Sequence, residues 1–237
     1  MTLYTYATCI TGFILFTVFM LVCHKKRSVK GVFIKNIVSY FFLFTNLAAT
    51  KASPENWNYA MVLLLGGVLG LMGDIYLDQK WVYPNDKDKY LLYGFISFGV
   101  GHLFYIRAMA VTAELVAKDF VLPLIFGIVV AGGNLIISKP LNQDFGKFKA
   151  VVTAYGFILS FMAATATISF MKTKSIGFLM FAIAGFLFLV SDVILSAMYF
   201  TVGKDKNTVP RFVLNHATYY AAQYLIALTP LFIGVSL

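Results

Sequence analysis

Residues 175–201 read SIGFLMFAIAGFLFLVSDVILSAMYFT, and Asp192 is the single charged residue in this stretch. An α-helix rises about 1.5 Å per residue, so about 20 apolar residues cross the hydrocarbon core of a bilayer. The stretch is hydrophobic on every helical face, as expected of a membrane span. We therefore predict a transmembrane helix with an acid inside it.

The rest of the chain repeats this pattern of long apolar runs and short polar connectors. The runs are continuous, whereas the strands of a membrane β-barrel alternate over about ten residues. We predict an all-α polytopic bundle of about eight transmembrane helices, which forms a single integral membrane domain over residues 1–237. The predicted spans lie near 2–22, 32–50, 58–77, 90–110, 120–138, 149–170, 175–201 and 211–235.

The composition agrees with a membrane protein. Hydrophobic residues make up 60% of the chain and charged residues 12%, against about 25% charged in a soluble domain. The net charge of +9 comes from lysines and arginines in short connectors. No basic stripe with interleaved aromatic residues lies outside the spans, so nucleic acid is not an expected partner.

The basic residues predict the orientation of the bundle. The first, third, fifth and seventh connectors hold thirteen lysines and arginines, and the alternate connectors hold five. Short cytoplasmic loops are rich in Lys and Arg. We therefore expect an integral protein of a bacterial plasma membrane, with both termini outside and the polar groups of the spans in the cytoplasmic half.

A short internal repeat links two of the spans. The segment Gly67-Val-Leu-Gly-Leu-Met-Gly-Asp74-Ile-Tyr-Leu77 resembles Gly185-Phe-Leu-Phe-Leu-Val-Ser-Asp192-Val-Ile-Leu195. A true repeat would relate two parallel four-helix halves, as in some transporters. The match is short, and a chance likeness is the alternative.

Asp74 and Asp192 are the main candidates for chemistry. An aspartate at the centre of a membrane helix costs about 2.5–3.5 kcal/mol on insertion scales and normally marks a function. If the two carboxyls meet in a low-dielectric site, they should share one proton and supply both an acid and a base. The alternatives are that Asp74 sits near the lipid headgroups and that Asp192 makes a structural hydrogen bond or pairs with Lys35.

Other common catalytic patterns are missing. The three histidines are widely separated, and the two cysteines form no CxxC pair. We therefore expect no metal site and no cofactor, and we find no GxSxG nucleophile motif. Tyr219 and Gln223 are four residues apart and share a helix face, where the glutamine could orient a carboxylate.

An ordered set of segments resembles the YhhN-like family of lysoplasmalogenases, which are polytopic membrane proteins. The matching pieces are Lys35, Gly73-Asp74, His102-Leu-Phe-Tyr105, Tyr155, Met162, Phe188-Leu-Val-Ser-Asp192 and Tyr219-Tyr-Ala-Ala-Gln223-Tyr-Leu-Ile226. Together they cover most of the chain.

The resemblance implies hydrolysis of the vinyl ether bond of lysoplasmalogens, which releases a fatty aldehyde and a glycerophospho-alcohol. The expected partners are then a lysophospholipid substrate and membrane lipids. Catalysis falls to Asp74 and Asp192, and Lys35 could hold a headgroup phosphate or extend to the interface. The residues expected to bind or orient the substrate are Lys35, His102, Tyr105, Tyr155, Ser191, Tyr219 and Gln223.

Two other functions fit the same residues. A proton-coupled transporter of a lipid or small solute could use the acids as proton carriers, and a parallel repeat would favour it. A noncatalytic lipid-binding membrane protein is the third possibility, and there the acids would affect stability alone.

The predicted orientation can be tested with reporter fusions. Alkaline phosphatase, which is active only outside the cytoplasm, should be active when fused after Leu237 or within residues 113–118. It should be inactive within residues 139–145, because that connector is predicted to be cytoplasmic. The reverse pattern of activity would overturn the orientation.

Overall fold

The computed structural model describes residues 2–23, 29–203 and 208–237, and these ranges form an all-α bundle without strands. The predicted fold class is therefore confirmed. The basic residues Lys25, Lys26, Arg27, Lys204 and Lys206, on which part of the predicted orientation depends, lie outside the described residues. The helices are α1 Leu3–Cys23, α2 Val29–Ala52, α3 Trp57–Val82, α4 Lys87–Thr112, α5 Val121–Ser138, α6 Lys149–Thr173, α7 Ile176–Phe200 and α8 Val209–Leu228.

Seven of the eight helices in the described ranges are long and apolar enough to cross a membrane. The exception is α8, which has 20 residues and could reach about 30 Å. It is more polar because its sequence includes Asn215, His216, Tyr219 and Gln223. These four residues are buried against the other helices. The protein is an integral membrane protein, and α8 contributes polar groups to its interior.

Two helices end at different places from the predicted spans. Helix α3 continues to Val82, past the predicted end at residue 77, and so includes the polar residues Asp78 and Lys80. Helix α8 ends at Leu228, short of the predicted residue 235, and a 3₁₀ turn over Thr229–Leu231 follows. Pro230 lies in this turn, where its ring and missing N–H prevent the α-helix from continuing.

The packing of the helices repeats between the two halves of the chain. Helix α1 packs on α2, α2 on α3 and α3 on α4, and the same order holds from α5 to α8. Between the halves, α2 packs on α8 and α4 packs on α6. If α1–α4 and α5–α8 exchange places, the contact of α2 with α8 becomes the contact of α6 with α4, and the reverse also holds. A four-helix repeat requires this pattern.

Small residues allow close approach of helices within each half. A Cβ atom added at Gly185 on α7 would lie 2.8 Å from Cα of Ala163 on α6. That distance is shorter than real carbon contacts, and the obstacle is backbone that cannot swing aside. Such small-residue contacts are a main source of helix association in membranes.

We expect the G185A variant to be less stable by about 1–3 kcal/mol, since the added methyl group forces α6 and α7 apart. The matched control is G132A on α5, where an added Cβ meets no described atom within 4 Å. That change should be neutral or gain up to about 1 kcal/mol from helix propensity. Thermal unfolding in detergent gives both values, and equal midpoints would contradict the close α6–α7 contact.

Candidate active site

A cavity of about 350 Å³ lies inside the bundle, and residues of α2 to α8 line it. Its polar residues lie in the first half or the middle of α2, α6 and α8 and in the second half of α3, α5 and α7. These positions are displaced towards the end of the bundle at which α1, α3, α5 and α7 end. Six of the predicted site residues line the cavity: Lys35, Asp74, Tyr155, Ser191, Asp192 and Tyr219.

The Lys35 ammonium group lies between two carboxylates of α3. Its Nζ atom is 3.1 Å from Oδ1 of Asp74 and 3.1 Å from Oδ2 of Asp78. All three residues are buried. Asp74 and Asp78 are four residues apart, so they occupy one face of α3, and Lys35 approaches that face from α2. One cation therefore serves two buried anions.

The second oxygen of Asp74 accepts two further hydrogen bonds. Ser39 donates to Oδ2 at 2.8 Å, and the Tyr219 hydroxyl donates to the same atom at 2.6 Å. Gln223 in turn donates through Nε2 to the Tyr219 oxygen at 3.1 Å. One cation and two hydroxyl donors therefore fix the Asp74 carboxylate in position.

Asp192 has a different environment. The hydroxyl of Tyr155 donates to its Oδ2, and Nε2 of His102 lies 3.4 Å from that hydroxyl oxygen. The single O–H of Tyr155 goes to Asp192, so the His102 contact is a hydrogen bond in the tautomer that carries the proton on Nε2. Across the described ranges, no cation lies within ion-pair distance of Asp192.

The two acids line the same cavity but are not hydrogen-bonded to each other within the described ranges. Asp74 is held from α2 and α8, and Asp192 is held from α6. The alternative pairing of Asp192 with Lys35 is wrong, because Lys35 is paired with Asp74 and Asp78. A proton shared between Asp74 and Asp192 remains a prediction.

The other predicted site residues lie either in the wall of the cavity or behind it. Ser191 lines the cavity, but its hydroxyl pairs α7 with α8, donating to the Asn215 carbonyl at 3.1 Å and accepting from Asn215 Nδ2 at 3.0 Å. His102 and Gln223 lie behind the wall and contact it through Tyr155 and Tyr219.

Tyr105 does not line the cavity. Its ring fills the space that Gly66 leaves open on α3, where an added Cβ would lie 2.4 Å from the ring. It also packs edge-on against Phe181 of α7, with centroids 5.7 Å apart. Its observed contacts are those of a core residue between α3, α4 and α7.

Asp78 is the site residue that the sequence reasoning missed. The predicted third span ended at residue 77, so Asp78 was assigned to a polar connector. The available signal was its spacing from Asp74, since acids four residues apart share a helix face. No cluster of three or more His, Cys, Asp or Glu side chains that could hold a metal ion occurs in the described ranges.

These features define a polytopic membrane protein with a buried acidic site at one end of the bundle. A family model, the YhhN family, matches residues 31–230, which is most of the chain. The chain belongs to the YhhN family. No curated protein and no solved structure matches it.

Replacing Lys35 tests the role of the shared cation. In K35M, two buried carboxylates lose their counterion, and breaking a buried pair in this way costs about 3–5 kcal/mol. We expect a large drop in the thermal unfolding midpoint in detergent. In the control K89M, which breaks the exposed pair of Lys89 and Asp86, the midpoint should stay close to wild type. An unchanged midpoint in K35M would contradict the ion-pair arrangement.

Proposed function

We propose that this protein hydrolyses the vinyl ether bond of lysoplasmalogens, with Asp192 as the proton carrier and Asp74 as a fixed anion. The observation that supports this division is the difference between the two acids. Asp74 has a cation and two hydroxyl donors, whereas Asp192 has a tyrosine hydroxyl and no cation among the described residues. Membership of the YhhN family is consistent with such a hydrolase.

The first step is proton transfer to carbon. Asp192 is half-buried and has no counterion among the described residues, and partial withdrawal from water without a counterion penalises the charged form of a carboxyl group, so Asp192 suits the role of a neutral acid. Its Oδ2 accepts from Tyr155, which leaves Oδ1 to hold the proton. That proton goes to the alkene carbon farther from the ether oxygen, and the product is an oxocarbenium ion.

The second step is addition of water. Asp192, now ionised, takes a proton from a water molecule as the water oxygen bonds to the cationic carbon. The product is a neutral hemiacetal. Transfer of its hydroxyl proton to Asp192, and of a proton from Asp192 to the ether oxygen, breaks the carbon–oxygen bond. The aldehyde and the glycerophospho-alcohol leave, and one water has been consumed.

The charge of the site favours the cationic intermediate. Asp74 lines the cavity with one oxygen bound to Lys35 and the other bound to Ser39 and Tyr219, so its carboxylate is fixed in position beside the bound substrate. Fixed charges placed where opposite charge develops are usually the largest single contribution to catalysis. Asp74 therefore stabilises the oxocarbenium ion without being the proton carrier.

Lys35 has a supporting role in this scheme. Its ammonium group already contacts two carboxylates at 3.1 Å. Two of its three N–H donors are therefore engaged, and a headgroup phosphate bound there would bring further negative charge beside two carboxyl groups. We therefore assign Lys35 to holding Asp74 ionised and in position, in preference to binding phosphate.

The repeated helix packing favours a second candidate function. Two parallel halves around a central site are a common plan in secondary transporters. A proton-coupled transporter of a lipid or small solute would use Asp192 as its proton carrier. Liposomes that accumulate intact lipid or solute in response to a proton gradient, without forming aldehyde, would identify this function.

Hydrolysis can be tested by measuring aldehyde release from a lysoplasmalogen by the purified protein. We expect D192N to reduce kcat by about 10²–10⁴-fold, the usual contribution of general acid–base catalysis. D74N should also reduce kcat, because the anion beside the intermediate is lost. The control is D88N, since Asp88 lies in an exposed pair with Lys147.

Two results of this assay would contradict the proposal, one with the wild type and one with D192N. No aldehyde from the wild type would exclude the proposed reaction. Full activity in D192N would exclude Asp192 as the proton carrier. A loss of activity supports the proposal when D192N unfolds at the wild-type temperature.

A further inference from the structure

One side of the cavity is bounded by α5 and α7, which do not pack along each other. Helix α5 packs along α6 instead, and both α5 and α7 lie entirely within the described ranges. The rings of Phe126 on α5 and Phe186 on α7 meet edge-on, with centroids 6.2 Å apart. Beyond this contact, towards the C-terminal ends of both helices, the cavity lies between them.

The cleft between the two helices is mainly apolar, and Asn134 is the polar residue that α5 contributes to it. Val130 and Ile137 of α5 face Leu189 and Val193 of α7 across it, and Gly156 of α6 also lines it. Ile137 and Val193 are 47% and 60% exposed. Apolar side chains that are exposed on membrane-spanning helices contact lipid chains, so the cleft opens sideways to the bilayer interior.

The inner end of the cleft reaches polar groups. Ser196 lies one turn after Asp192 on α7 and lines the same cavity. Its Oγ atom is buried and has no hydrogen-bond partner in the described parts of the chain. Buried hydroxyl groups are normally hydrogen-bonded, so this atom is available to an oxygen of a bound molecule. The cleft thus joins an apolar entrance to the acidic site.

We propose that the cleft between α5 and α7 holds the alkenyl chain of a single-chain lipid, which enters sideways from the bilayer. This inference rests on the proposed function, since it places the chain so that its vinyl ether end meets Asp192. A volume of about 350 Å³ is near the lower end of the 300–1,000 Å³ range of ligand pockets. It suits one chain better than two.

Glycines keep the cleft open. A Cβ atom added at Gly133 of α5 or Gly156 of α6 meets no described atom within 4 Å, and both residues line the cavity. A leucine at either position would therefore extend into the cleft without displacing the helices. Gly132, the neighbour of Gly133, is equally unobstructed but lines a groove on the outer surface of α5 and α6. It provides a matched control.

A photoreactive lipid tests the site directly. The probe is a lysophospholipid with a diazirine in its single chain, irradiated with the protein in vesicles, and the adducts are located by mass spectrometry. We expect adducts within 130–137 and 189–196 in the wild type. G133L and G156L should reduce them about tenfold, which corresponds to about 1.4 kcal/mol of binding, and G132L should leave them unchanged.

Hydrolysis provides a second readout. With a long-chain lysoplasmalogen, G133L should raise KM about tenfold, and a substrate with a chain of a few carbons should be much less affected. G132L should match the wild type on both substrates.

The two proposals can fail separately. Adducts in the cleft that are lost in G133L, together with no aldehyde from the wild type, would retain the lipid site and exclude the hydrolase. Equal adduct yields in G132L and G133L, or adducts confined to the outer groove, would overturn the chain site whether or not aldehyde forms.

Discussion

The contact between Lys35 and the two carboxylates of α3 is the constraint on which the site depends. The Lys35 ammonium group joins α2 to α3, with its Nζ atom 3.1 Å from an oxygen of each acid. Because it binds Oδ1 of Asp74, Oδ2 is the oxygen that accepts a hydrogen bond from α8. Tyr219 and Ser39 then bind that oxygen. Three helices thereby converge on one carboxylate, which is held by a buried cation and two hydroxyl groups.

The two halves of the chain use equivalent positions for different chemistry. Lys35 is the seventh residue of α2 and Tyr155 is the seventh residue of α6. Each contacts the acid of the following odd-numbered helix, Asp74 or Asp192. A cation in one half favours an anion, and a phenol in the other half is compatible with a neutral acid. This exchange is one source of the asymmetry of the site, and Ser39 and Tyr219 add to it because they bind Asp74 and not Asp192.

The sequence alone predicts the eight helices and singles out Asp74 and Asp192, because long apolar runs and rare intramembrane charges are local signals. It was not sufficient for Asp78, since hydropathy falls at the end of α3 although the helix continues to Val82. Nor does it show that Tyr105 lies outside the cavity lining, because a polar residue in an apolar helix does not reveal which neighbour it faces. The pairing of Lys35 with α3 depends on the arrangement of helices in space, and no local pattern contains it.

The position of α5 has a consequence for how the bilayer acts on the protein. Because α5 packs along α6 and not along α7, the proposed chain site opens between α5 and α7, and on that proposal lipid molecules border the cavity. Bilayers differ in hydrocarbon thickness, and helices tilt to match it at a modest cost per ångström. Thickness therefore acts on the width of the cavity through the tilt of one helix, which makes the surrounding membrane a structural component of the site.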